Sequence, residues 1–420
     1  MQINGNISTY QAIVLILVIS AVLISCEQPD GPVGSGVGSG SGGQTYVDTF
    51  QVEADTSFAI SSINTGASQY VYVGSAFDIQ SQGLIRFNRP LLPVEWSIHS
   101  AWIELSYDGG LGSDEEIWIG TRLLDYNWSE SDPPEWDDVP AGIDGDGWET
   151  SIILNKNDGL YSYQLPNVWV QNWLEWEYSG SDTVWTDTTR SDSTMTLHMR
   201  GPDSFAMSNL LLRFRSRIAS EDSLRPKLFI DFTGKVDPDS AEYRDTLSIN
   251  ASGDLFIVKN HNPETGQSLF IGSGASYKSH IKFDISQMWD RVNTGTHHLI
   301  VNRSVLTLHK NLDLTPDIPR TESIWPFKLN DIEGFVDADS AHETGYTLVT
   351  TAIDSALEMV EIVTTTPVSE WIEDSETNFG LSLHSATEGY SIDRLGFYSS
   401  EAADPALRPR LIIYYTEIPR

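Results

Sequence analysis

From Gln44 onward, apolar and polar residues alternate in short runs separated by clusters of Gly, Asn, Asp, Ser and Pro. Alternation with a period of two predicts β-strands with one buried face. In residues 100–107, Ala101, Ile103, Leu105 and Tyr107 share one face, and Trp102, Glu104 and Ser106 share the other. Residues 227–232 and 410–415 follow the same rule. Helical periodicity is scarce, and the best short candidates are 168–176 (VWVQNWLEW) and 366–374 (TPVSEWIED). Many short strands with turn signals between them predict an all-β chain of sandwiches or jelly rolls.

The pattern also repeats. Phe214, Ser216, Ala219, Leu224, Arg225, Pro226, Leu228 and Ile230 recur, each 183 residues later, as Phe397, Ser399, Ala402, Leu407, Arg408, Pro409, Leu411 and Ile413. Earlier segments correspond in order with changed spacing. Tyr72-Val73-Gly74-Ser75 answers to Phe270-Ile271-Gly272-Ser273, and Leu84-Ile85-Arg86-Phe87 to His280-Ile281-Lys282-Phe283. Trp173 answers to Trp371, which marks both as core residues, and His198 answers to His384. Two tandem β domains are therefore expected, at 45–233 and 244–416, joined by a polar linker at 234–243.

The N-terminal segment has a different character. Residues 12–24 are strongly apolar but too short for a bilayer crossing, which takes about 20 residues. A signal peptide over 1–25 is the better reading. Leu23-Ile24-Ser25-Cys26 resembles the lipobox of bacterial lipoproteins, in which the Cys is acylated and becomes the new N-terminus. Lipidation at Cys26 would anchor the chain without a membrane-spanning helix. The Gly/Ser-rich stretch within 26–44 reads as a flexible tether. The expected location is the cell envelope, at the outer membrane or cell surface.

Composition narrows the function. The 420 residues carry 59 Asp plus Glu against 25 Lys plus Arg, a formal net charge of −34. Phosphate and anionic lipid surfaces need clustered cations, so nucleic acid is excluded as a partner and the membrane is reached through the lipid alone. A single Cys excludes an internal disulfide. No Gly-x-Ser-x-Gly, His-Glu-x-x-His or P-loop pattern occurs, and no motif requires a cofactor.

Several segments together resemble the DNRLRE domain, also known as disaggregatase-related repeats. They are the Tyr72–Ser75 strand end, the Arg86-Phe87 strand, the Trp128-Ser129-Glu130 turn followed by Trp136, the Trp173 helix and the Arg225-Pro226-Lys227-Leu228 strand. The second copy keeps Lys282-Phe283, Trp371 and Arg408-Pro409 but has no counterpart of Trp128 or Trp136. This family overlaps carbohydrate-binding modules whose characterised members bind alginate. The resemblance implies a non-catalytic β jelly roll on a secreted or surface protein, used for polysaccharide contact or as a building block.

Ten of the 13 Trp lie between Trp96 and Trp185. Exposed aromatic planes take up the C–H faces of sugar rings, so Trp118, Trp128, Trp136 and Trp148 are the candidate sugar contacts. Trp128 and Trp136 belong to the family pattern and are also read as loop-packing residues. Asp144, Asp146 and Glu149 offer hard oxygen ligands at short spacing for a structural calcium, or form a solvated acidic turn. Arg213, Arg215, Arg217 and Arg225 form the one local basic cluster, expected to pair with Glu221, Asp222 or other acids.

The function expected is contact with extracellular polysaccharide by a membrane-anchored surface lipoprotein. The alternatives are a structural or adhesion protein that binds other envelope proteins and, third, a polysaccharide-degrading enzyme. The net charge favours a neutral glycan, because an acidic protein repels a polyanion unless local Arg or calcium reverses the field. Self-repulsion of this size is relieved by salt, whose screening length is about 8 Å at physiological ionic strength. The melting temperature is therefore expected to rise from low to moderate salt. A flat or falling trend would show that the acids are already paired or well spaced.

Overall fold

The computed structural model describes residues 44–419, apart from 61–62, 77, 94, 125–127, 140–149, 158, 176–193, 202–208, 262–267, 274–276, 294–296, 315–321, 337–342, 346–350, 354–357 and 393. Cys26, the signal segment, the tether, Trp148 and the Asp144, Asp146 and Glu149 trio lie outside the described residues. The protein is all-β and forms two large curled antiparallel sheets.

The strands follow in chain order as β1 (Gln44–Ala59), β2 (Tyr70–Ala76), β3 (Ile79–Asn88), β4 (Glu95–Leu111), β5 (Glu116–Leu124), β6 (Thr150–Asn155), β7 (Gly159–Leu165) and β8 (Thr194–Arg200). Next come β9 (Leu210–Arg215), β10 (Lys227–Lys235), β11 (Tyr243–Asn250), β12 (Gly253–Asn260), β13 (Ser268–Gly272), β14 (Tyr277–Phe283) and β15 (His297–His309). The last are β16 (Glu322–Leu329), β17 (Glu343–Gly345), β18 (Thr351–Ile353), β19 (Met359–Val363), β20 (Leu381–Ser385), β21 (Arg394–Tyr398) and β22 (Arg410–Pro419). Helices Asn167–Glu175 and Thr365–Glu373 lie where the pattern places them, and Trp371 is fully buried as a core residue. A further helix, Ser286–Asn293, sends Trp289 to donate its indole N–H to the Trp371 carbonyl at 2.7 Å.

One sheet runs β11-β10-β4-β9-β2-β3-β8-β5-β6, with β12 on β3 and β7 on β4. The other runs β17-β16-β20-β14-β1-β22-β15-β19, with β13 beside β14, β21 beside β13 and β18 beside β16. The first unit is therefore continuous in sequence from β2 to β12. The second is built from β13 to β22 plus β1, taken from the far end of the chain. The two structural units are offset by one strand from the two sequence repeats.

The offset follows from the symmetry of the repeat. β10 pairs with β11 from Lys227–Asn250 onward, and β22 pairs with β1 from Arg410–Gln51 onward. The strand run then crosses to the opposite layer. Gly253 to Asn260 pair with β3, and Ala54 to Ala59 pair with β14 after a bulge between Val52 and Ala54. Asp254 accepts the Arg217 backbone N–H at 2.5 Å, and Asp55 accepts the Ser400 backbone N–H at 2.6 Å. β1 thus does for the second unit what β11 and β12 do for the first.

The recurring residues have a common local cause. After β9 and β21 the chain turns tightly, with Ala219 N–H donating to the Ser216 carbonyl and Ala402 N–H to the Ser399 carbonyl, both at 3.1 Å. Arg225 Nε then donates to the Ala219 carbonyl and Arg408 Nε to the Ala402 carbonyl, both at 2.9 Å. Gly74, at the end of β2, has φ +121° and leaves no room for a Cβ beside the Leu210 carbonyl.

Each core follows the alternation of its strands. Ala101, Ile103 and Leu105 of β4 pack with Leu228 and Ile230 of β10, whereas Trp102 and Glu104 face outward. Ile281, Leu306, Leu383, Leu411 and Ile413 fill the second core, and β1 adds Phe50. Phe270, Tyr277 and Ile392 of the second unit pack into the first core, so the units share an apolar contact.

Phe50 lies in the N-terminal strand yet packs in the core of the C-terminal unit. Phe50→Ala is expected to cost about 3 kcal/mol or more. Native-state hydrogen exchange should place that loss on residues 268–419. A loss confined to residues 70–260 would contradict the pairing.

Candidate functional site

Four strands of the first unit, β5-β8-β3-β12, turn one face to the core and leave the other available. Ile117, Ile119 and Leu123 of β5 point into the core, so Trp118, Gly120, Arg122 and Leu124 occupy the opposite face. Register extends that face across the sheet. Arg122 lies opposite His198, Gly120 opposite Arg200, and Gln82 opposite Arg200 on the other side. Lys259 of β12 lies opposite Gln80.

The segment after β5 folds back over this face. Leu84, Leu124, Leu255 and Ile257 form a small apolar patch that Trp128 covers, with Trp136 and Val139 at its margin. Trp128 is 5% exposed, which corrects its reading as an open sugar contact. Its indole N–H donates to Thr196 Oγ1 at 3.0 Å, Arg86 Nη1 donates to its carbonyl at 2.7 Å, and the Arg86 guanidinium lies 4.7 Å from the ring centroid.

The rest of the Trp-Ser-Glu turn is equally structural. Ser129 Oγ accepts the Ser131 backbone N–H at 3.2 Å. Glu130 takes two hydrogen bonds from Arg217, from Nε at 2.8 Å and Nη2 at 2.5 Å, and accepts the Asp254 backbone N–H at 3.0 Å. This bidentate clamp holds the turn against β12.

Trp136 has a different setting. It is half-buried, with Arg200 5.2 Å and Lys259 5.9 Å from its ring centroid. A directional relay holds its backbone. Arg122 Nε–H donates to His198 Nδ1 at 3.0 Å, and His198 Nε2–H donates to Gln82 Oε1 at 2.9 Å. Gln82 Nε2 then donates to the Trp136 carbonyl at 3.2 Å. The relay requires neutral His198, and burial, then the Arg122 and Arg200 charges, hold its pKa well below the ordinary range. Trp118 is half-buried on the same face, two residues along β5 from the Gly120 that lies opposite Arg200. Of the four candidate tryptophans, the structure thus puts Trp118 and Trp136 on one partly open face and buries Trp128.

The second unit keeps the plan with other residues. Phe335, from the turn helix Glu333–Val336 that follows β16, folds back over the sheet where Trp128 does in the first unit. Its carbonyl accepts His280 Nδ1–H at 3.3 Å, and the two rings lie 6.0 Å apart. Burial pushes the His280 pKa down to about 4. His384 Nε2 meets Glu343 Oε1 at 3.0 Å and Ser382 Oγ at 2.8 Å. Opposite His384, where the first unit has Arg122, stands Trp325, 43% exposed. Sequence reasoning passed over Trp325, whose place opposite a matched histidine shows only in the strand register.

The basic cluster is paired. Arg215 meets Asp108 at 2.5 Å, Arg213 Nη2 donates to the Asp108 carbonyl at 2.6 Å, and Arg225 lies 3.5 Å from Asp222. Among the described residues, no group of three or more His, Cys, Asp and Glu is placed to hold a metal ion. No helix among them is long and apolar enough to cross a membrane. No family model matches the chain, and no curated protein matches it.

Asp254, buried beneath the Glu130 clamp, has its pKa raised to about 7 by desolvation. The unfolded carboxyl titrates near 3.8, so the stability this group contributes in acid is lost as pH rises from about 4 through about 7. Asp254→Asn removes the titration. Its melting temperature relative to the parent is expected to climb over that interval and then level off. A constant difference would mean that Asp254 is ionised throughout.

Proposed function

We propose that the protein is a lipid-anchored surface protein whose β units contact extracellular polysaccharide without catalysing its cleavage. The observation that carries this reading is the placement of Trp118 and Trp136 on one non-core face, with Trp136 held by the Arg122–His198–Gln82 relay. A fixed, half-open indole gives a sugar ring an apolar plane without an ordering cost, and neighbouring polar groups serve the hydroxyls. Arg200 and Lys259, which lie over its ring, add hydrogen-bond donors within a strongly acidic chain. Trp325, at the position of Arg122, supplies an exposed aromatic on the second unit. Acylated Cys26 and the Gly/Ser tether would hold both faces away from the membrane.

A second reading, a structural or adhesion role through protein contact, draws on the second unit. That unit exposes Trp325, Ile332 and Val336, and exposed apolar residues of this kind also serve protein interfaces. A stoichiometric protein partner without sugar retention would favour it.

Affinity gel electrophoresis against neutral and acidic polysaccharides separates the two. Retardation by at least one glycan is expected. Trp118→Ala and Trp136→Ala should each weaken it by about tenfold, the equivalent of about 1.4 kcal/mol. No retardation by any glycan, or none lost in either variant, would overturn the reading.

A further inference from the structure

β1 gives the second core one buried apolar side chain, Phe50, with Tyr46 and Val52 packed partly buried against it. Of its 16 residues only Phe50 and Ser57 are buried. Its backbone ladders to β22 and β14 do most of the holding, aided by polar contacts. Ser57 Oγ lies 2.8 Å from Ser279 Oγ, Ser400 Oγ donates to Asp55 at 2.8 Å, and the Tyr415 hydroxyl donates to Asp48 at 2.9 Å. Its counterpart β12 buries Leu255, Phe256 and Ile257 and follows its own unit in sequence. The first unit is therefore closed by a run of chain that follows it in sequence, and the second by a remote strand with fewer buried apolar residues.

Release of β1 bares the backbone of β22 from Arg410 to Glu417 and of β14 from Tyr277 to Phe283. Unpaired strand edges recruit another strand. The sequence shown to fit both edges together, including the bulge between Val52 and Ala54 and the Asp55 contact, is that of β1. We propose that the channel between β22 and β14 is a strand-acceptor site that takes the N-terminal strand of a second copy, giving a reciprocally exchanged dimer. Exchange keeps every rung of both ladders and changes only the path of residues 60–69. In that connection Ser68 Oγ donates to the Tyr390 carbonyl at 2.7 Å, and Thr65 Oγ1 accepts the Phe256 backbone N–H at 3.0 Å. These contacts must break and re-form, so exchange is slow and speeds up on partial unfolding.

Thr49 and Ile412 are Cα partners across the ladder, and Cys26 is the sole cysteine. Two full chains are made in a Cys26→Ser background, one with Thr49→Cys and the other with Ile412→Cys, distinguishable by a size tag. They are mixed, unfolded and refolded together at high concentration, then oxidised. The expected product is a disulfide-linked pair containing one chain of each size, in a yield that grows with concentration. Replacing Ile412→Cys with Ser162→Cys, an exposed position of β7 in the first unit, should give none. Failure of the first pair to link, or equal linking by the second, overturns the proposal. So does a solely monomeric mass for the Cys26→Ser parent after the same refolding.

Discussion

The pairing of the first strand with the last is the constraint on which the rest of the structure depends. Thr45 and Thr416 meet across 371 positions of sequence, and the ladder between them satisfies backbone groups that would otherwise lie open along β22. The continuation of β1 along β14 then fastens the two layers of the second unit together. Because β1 leads directly into β2, the same strand ties the second unit to the first. Phe270, Tyr277 and Ile392 reinforce that tie by entering the first core. Such non-local closure is entropically demanding, since nearly the whole chain must be in place before it forms.

The functional faces follow from the same architecture. Each unit turns one sheet face away from its core, and in each the chain that follows β5 or β16 folds back to cover part of it. Trp128 covers it in the first unit and Phe335 in the second, each hydrogen-bonded to the sheet beneath. What stays partly open differs. The first unit leaves Trp118 and Trp136 beside Arg200 and Lys259, and the second leaves Trp325. The duplicated fold therefore carries two chemically distinct faces.

Alternation along residues 100–107 and 227–232 was enough to assign inward and outward residues, because a strand's period is a local property. The Ala219–Arg225 turn was visible as a repeat because its hydrogen bonds run between residues close in sequence. The phase of the units was not legible. An alignment of repeats shows that β1 and the run from β11 to β12 are equivalent, yet says nothing about which sheet each joins. Trp128 and Trp136 looked alike as sequence, separated by a few polar residues. Only the fold-back of their segment buries one against Leu84 and leaves the other at the margin. Phe335 escaped notice because its role depends on a short turn helix with no long-range signature.

The closure is tested most directly by native-state hydrogen exchange on the intact chain, read amide by amide in β1, β14 and β22. If β1 closes the second unit, the amides that bond across the ladders of β1 with Tyr277–Phe283 and with Arg410–Glu417 become exposed in one shared opening and exchange at a common rate. Rapid exchange throughout β1, with its partner amides on β22 and β14 still protected, would contradict it.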